Sequence, residues 1–153
     1  TAQKFYLDDQ DMNSDGILVT RRKYSDIATS IDLSLNDFTF NNSLQYDPEA
    51  NKINKRDSTM TYQPNPRKFL TLGHHDDDKT ESAEFSGAYP ITQKVHVFGG
   101  VNRSLTDSIT NRKNTGIAYE SCCWALRVEY LKKHIDGSNY DNVTNFELVL
   151  KGL

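Results

Sequence analysis

The chain has 153 residues, a formal net charge of -3 and 25% charged residues. A pI near 5.8 argues against nucleic acid as a main partner, because phosphate binding wants a clustered basic surface and only "TRRK" at Thr20–Lys23 approaches one. The mean hydropathy is -0.70, and no apolar run approaches the ~20 residues of a membrane helix. A transmembrane barrel stays open, since only every second residue of its strands meets lipid. No basic-then-apolar leader opens the chain, which leaves export undecided.

Helical spacing is almost absent, and period-two alternation recurs from end to end. After "QKFYL", a short first strand, "DMNSDG" at Asp11–Gly16 matches half of a calcium loop. Its twelfth position is Arg22, where a bidentate Glu belongs, so a polar turn is the better account. "YSDIATSIDLSL" sets Ile27, Ile31, Leu33 and Leu35 against Ala28, Ser30, Asp32 and Ser34. "DFTFNNSLQY" repeats the pattern with Phe38, Phe40, Leu44 and Tyr46. Weaker strands are expected around Ser58–Tyr62, Lys68–His75, Ala83–Tyr89, Val95–Arg103 and Thr115–Tyr119. "WALRVEYL" then places Trp124, Leu126, Val128 and Tyr130 on one face, with Arg127 and Glu129 able to pair on the other, and "NFELVL" places Phe146, Leu148 and Leu150 together.

The total is about ten strands. Tight links ("LND", "QPNPR", "YPITQ", "ESC") alternate with longer polar ones ("DDQDMNSDG", "DPEANKINKRD", "HHDDDKTE", "SLTDSITNRK", "KHIDGSNYDN"). That alternation suits an outer-membrane barrel, with short periplasmic turns and long external loops. Tyr46, Tyr62, Tyr89, Tyr119, Trp124 and Tyr130 fall near expected strand ends, where aromatic girdles sit. The fold class expected is therefore all-β: an antiparallel up-and-down transmembrane β-barrel segment, about ten strands of a larger barrel. The competing reading is a soluble β-sandwich or lipocalin-like binding protein.

Chemistry-bearing clusters are few. "HHDDD" at His74–Asp78 offers imidazole and carboxylate, yet consecutive residues alternate in direction, so a solvated external loop is expected and no metal site. His96 and His134 lack a neighbouring Ser or Cys arrangement. No catalytic residues are assigned, no cofactor is implied, and an enzyme is not expected. The chain's two cysteines, Cys122 and Cys123, are adjacent; a disulfide between them would need a strained ring, which directs them to partners elsewhere. A pair of reduced, half-buried thiols is the plainer alternative.

"GAYPITQKVHVFGG", "TGIAYESCCWALRVEYL" and "NFELVLKGL" together resemble the C-terminal part of the LptD family, the lipopolysaccharide-assembly barrels of Gram-negative outer membranes, also called organic solvent tolerance proteins. The family pattern is an adjacent Cys-Cys, an aromatic and a strand, then a last strand ending in "LxGL". Cys122, Cys123 and Trp124 match the first part, and Leu150, Lys151, Gly152 and Leu153 the second. "SLQYDPEANKI" and "STMTYQ" resemble a family hairpin ending in "YR", though Gln63 stands where Arg is expected.

The resemblance implies that residues 1–153 are the C-terminal part of an outer-membrane β-barrel domain that moves lipopolysaccharide to the outer leaflet. It implies disulfides from Cys122 and Cys123 to the N-terminal periplasmic domain of the same protein. It further implies an LptE-like lipoprotein plug, a periplasmic lipopolysaccharide-transport bridge, and a lateral gate along a last strand carrying Thr144, Phe146, Leu148 and Leu150.

Overall fold

The computed structural model describes residues 25–137 and 139–151. Nine strands run in chain order: β1 Ile27–Leu35, β2 Phe38–Asp47, β3 Lys52–Asn65, β4 Lys68–Asp77, β5 Glu81–Pro90, β6 Val95–Ser104, β7 Thr110–Glu120, β8 Trp124–Asp136 and β9 Asn139–Leu150. Each pairs antiparallel with its sequence neighbour in one up-and-down sheet, order β1 to β9. The fold class is thus the expected all-β, up-and-down one. "QKFYL", "DMNSDG" and "TRRK" lie outside the described residues.

The register turns sequence alternation into two chemically opposed faces. Across the sheet, Leu33, Phe40, Met60, Leu72, Phe85 and Val101 are successive cross-strand partners. A second row joins Tyr89, Val97, Ile117, Val128 and Phe146. Because register partners share a face, these rows build a continuous apolar belt, and most of its members stand exposed to the surroundings. The belt moves along the strands from β1 to β9. Val101 still has apolar neighbours towards β5, whereas its β7 partner is Lys113, followed by Lys132 and Asn142. Such obliqueness is what strands tilted to a membrane produce.

The opposite parity carries Ser30, Ser43, Asp57, His75, Glu84, Asn102, Asn114, Arg127, Glu129 and Glu147. Many groups of this polar face bond to one another. Asn42 and Ser58 aside, which bond at the belt's margin, Thr61 and Thr71 hydroxyls lie 3.1 Å apart, and Asn114 Nδ2 donates to Glu129 Oε1 at 2.7 Å. Among the described residues the only buried hydrophobic side chain is Ala118. A soluble sandwich would cover its apolar face with a second sheet. The described residues form no second layer, so nothing supports that alternative.

The links differ from expectation. The polar stretches 47–57, 74–81, 104–113 and 133–142 shrink to links of residues 48–51, 78–80, 105–109 and 137–138, because the ladders run on into them. Strand hydrogen bonding needs only backbone donors and acceptors, so the ladder outlasts the apolar alternation that reveals it. The "HHDDD" stretch is accordingly strand as far as Asp77, not loop: His74 and His75 lie on opposite faces of β4. His74 Nε2 meets Glu81 Oε1 at 2.9 Å, and His75 Nδ1 meets Asp57. The tight turns stay tight. Asn36 takes φ 51° in the β1–β2 turn, a conformation that Asn tolerates and hairpins favour.

Aromatics gather at the belt's edge beside these tight turns. Phe38 and Tyr62 rings are 4.6 Å apart, Tyr119 and Trp124 are 5.0 Å apart, and Lys68 Nζ lies 5.5 Å from the Tyr89 ring centre. Tyr46 belongs towards the other end of β2, and Tyr130 lies inside β8 rather than at its end.

Candidate functional site

The β7–β8 turn, residues 121–123, presents both thiols. Its backbone is held on all sides: Ser121 N–H donates to Trp124 O (2.8 Å), Glu120 N–H to Lys94 O (2.7 Å), and Lys151 N–H to Cys123 O (2.7 Å). Cys122 and Cys123 are both exposed and unbonded, with their sulfurs 2.9 Å apart. Both thiols open to the surroundings at the turn. The two are chemically unequal. Hydrogen bonding from Cys123, and then from Ser121 Oγ at 3.9 Å, pulls the Cys122 thiol below its ordinary value. The same hydrogen bond pushes the Cys123 thiol up. A lowered thiol is the better thiolate source at neutral pH.

Beside the turn is a polar clasp that sequence reasoning misses. The Glu120 carboxylate accepts from Arg67 Nη2 at 2.8 Å and from Lys151 Nζ at 3.2 Å. Arg67 Nη1 also donates to Gln93 O at 2.5 Å. Three tight turns and the end of β9 are thereby joined around one carboxylate. The His96 ring lies at the same place, with Nδ1 buried and 3.9 Å from Glu120 Oε1. Only long-range pairing brings these groups together, so no local spacing announces them.

The expected last strand, Thr144–Leu150, is the second half of a longer β9. Thr144, Phe146, Leu148 and Leu150 face Tyr130, Val128, Leu126 and Trp124 in register, on the apolar face. Phe146 is 74% exposed, and Leu148 and Leu150 are 63% and 61% exposed. Among the described residues β9 has one neighbour, β8, so its other edge is unpaired in the sheet. An edge this long and apolar is a pairing surface.

On the polar side of the same two strands, Arg127 and Glu129 approach to 3.8 Å, the pairing that their shared parity suggests. The Arg127 guanidinium stacks on the Phe98 ring at 4.0 Å. Phe98 lies across Gly116, its register partner, where a Cβ would meet Val128 O at 2.5 Å. The thiol turn, the clasp and the last strand therefore form one corner of the sheet.

The chain is similar to known proteins along nearly its whole length. The model of the LptD family, "LPS transport system D", matches residues 1–145. An LPS-assembly protein LptD of Shewanella frigidimarina is 28% identical over 177 residues, covering 99% of this chain and 23% of that protein. One from Shewanella sp. strain MR-4 is 25% identical over 178 residues, with the same coverage. One from Cupriavidus metallidurans is 27% identical over 143 residues, covering 85% of this chain and 17% of that protein. The chain spans less than a quarter of the length of these relatives. The family match, the all-antiparallel sheet with one apolar and one polar face, and the adjacent thiols at a tight turn agree: the chain belongs to the LptD family.

Proposed function

We propose that residues 1–153 form the C-terminal part of an outer-membrane β-barrel that transports lipopolysaccharide and releases it into the outer leaflet, without chemistry of its own. The observation that carries this reading is the belt of exposed apolar side chains on one face of a sheet whose other face is lined with paired polar groups. Such a sheet is at rest only with lipid on one side and a wet interior on the other. The names of the relatives, LPS-assembly proteins, supply the cargo.

Within this reading, Cys122 and Cys123 form disulfides with cysteines of an N-terminal periplasmic domain. Their exposure on a turn, in a compartment where disulfides persist, supports that role. The clasp at Glu120 holds the turn in place for it. The unpaired edge of β9, with Phe146, Leu148 and Leu150 towards the acyl chains and Thr144 nearer the belt's far edge, is one side of the lateral gate. The polar face offers a wall for an LptE-like lipoprotein plug, and the periplasmic transport bridge delivers lipid from the side of the tight turns.

The experiment uses cells whose only copy is the full-length protein. A photo-crosslinking side chain at Leu148 should capture lipopolysaccharide, while one at Met60, equally apolar but six strands away, should capture it far less. Replacing Cys122 or Cys123 singly with Ser should leave the outer-membrane barrier near normal, and replacing both should open it to antibiotics. Equal capture at Leu148 and Met60 refutes the gate. An intact barrier with both cysteines replaced refutes the tether.

A further inference from the structure

The belt's far edge, away from the thiol turn, is charged in two different ways. Along β3–β5 both signs occur: Arg56 stands opposite Asp76, Asp76 opposite Glu81, and Glu81 in turn bonds His74 at 2.9 Å. Along β6–β8 they do not. Lys113 and Lys132 are direct cross-strand partners, and Arg103 projects two residues beyond Val101, the β6 partner of Lys113. Asn142, not a carboxylate, stands opposite Lys132. Among the described residues none of the three cations makes an ion pair. The nearby carboxylates Asp107 and Asp136 are not bonded to them, and Asp107 is occupied by Ser104. Their own contacts are weak ones: Arg103 Nη2 reaches Ser108 O at 3.5 Å, and Lys132 Nζ lies 4.3 Å from the Tyr140 ring centre.

Like charges directly opposite each other in a ladder repel, so this cluster is best satisfied by an anion from outside the chain. What lies beneath it says which kind. The next row towards the belt holds Thr115, Tyr130 and Thr144, and the row after that Ile117, Val128 and Phe146. Cations, then hydroxyls, then hydrocarbon is the order of a lipid's phosphate, polar linkage and acyl chains read from water inward.

We infer that Arg103, Lys113 and Lys132 form a binding site for the headgroup phosphate of an anionic membrane lipid, held against the outer wall of β6–β8 with its acyl chains on Ile117, Val128 and Phe146. A free phosphate would satisfy the cations but leave the adjoining apolar rows uncovered, which is why a lipid is the occupant that fits. The site rests on the reading of the apolar face as lipid-facing, and on nothing else in the proposed transport function.

The test uses the full-length protein, with any lumen partner it purifies with, in nanodiscs of zwitterionic lipid. A phosphorylated glycolipid and phosphatidylglycerol are titrated in separately, and retained lipid is counted by native mass spectrometry. Retention of either anionic lipid should fall on the order of fivefold for each charge removed through Arg103→Gln, Lys113→Gln and Lys132→Gln. Lys113→Arg and Lys132→Arg should retain it, and Arg56→Gln, on the balanced part of the same edge, should change nothing. Parent-level retention by the triple Gln variant would overturn the inference. So would equal retention of the zwitterionic lipid, or displacement of bound lipid by millimolar inorganic phosphate. Failure of the parent to enter nanodiscs at all would sink the barrel reading itself, whereas normal insertion without charge dependence sinks only the lipid site.

Discussion

The two faces of this sheet share every strand and every backbone hydrogen bond, yet they are stabilised by opposite means. The apolar face offers Phe40, Met60, Leu72 and Phe85 in one row with nothing from the described chain covering them. The polar face binds itself together through Asn114–Glu129, Arg127–Glu129 and the Glu120 clasp. One face depends on its solvent being hydrocarbon, and the other on its own internal pairing. A substitution should therefore be costly on one face for reasons of partition, and on the other for reasons of packing and partner loss.

The largest effect expected is on the apolar face. A charged residue at Leu126, Val128 or Leu148 should cost roughly 2–4 kcal/mol near the bilayer midplane in the intact barrel, while changes at Ala125 or Glu147 should be milder. A refolding titration into lipid measures both, and equal costs on the two faces would break the comparison. Next comes packing on the polar face. Gly116→Val would drive a side chain into Phe98 and the Val128 carbonyl, and it should cost about 1–3 kcal/mol by the same titration.

Smaller still is the clasp. Arg67 and Glu120 are partly exposed, so a double-mutant cycle with Ala at each should give a coupling of about 0.5–1 kcal/mol that shrinks with added salt. A salt-independent coupling would assign the pair to packing instead. The smallest effect leaves stability untouched and appears only in reactivity. Because the hydrogen bond between the two thiols lowers Cys122 and raises Cys123, alkylation of Cys122 in the disulfide-reduced protein should set in at lower pH than that of Cys123. Cys123→Ala removes that hydrogen bond, so the Cys122 profile should move to higher pH. Identical profiles for the two thiols in the parent would contradict the hydrogen bond.

Much of this was legible in the residues, and the illegible part has a physical reason. Period-two alternation finds β1, β2 and the first half of β8, where every second side chain meets the apolar surroundings. It misses Lys52–Asp57 in β3, Thr110–Asn114 in β7 and Asn139–Val143 in β9, where charged and amide side chains break the apolar alternation and the backbone ladder continues. Stretches such as "KINKRD" and "NYDN" therefore read as loops although they are strands. The thiol turn was visible because it is local. The clasp was not, since Arg67 and Glu120 are 53 residues apart and only the register of strands β4 to β7 brings them together. Tyr62, Tyr89, Tyr119 and Trp124 fall at the belt's edge as their positions suggest, but Tyr130 follows the belt's slant into the middle of β8.

The central claim is that one face meets lipid acyl chains and the other does not. Its most direct measurement is depth-independent: single Trp residues placed in turn at positions 145 to 149 of β9 in the full-length barrel, in bilayers of brominated lipid, with Trp124 replaced by Phe and the remaining native signal subtracted. Quenching should alternate with period two, strong at 146 and 148 and weak at 145, 147 and 149. Uniform quenching along the five positions, or the opposite parity, would contradict a wall with lipid on one side.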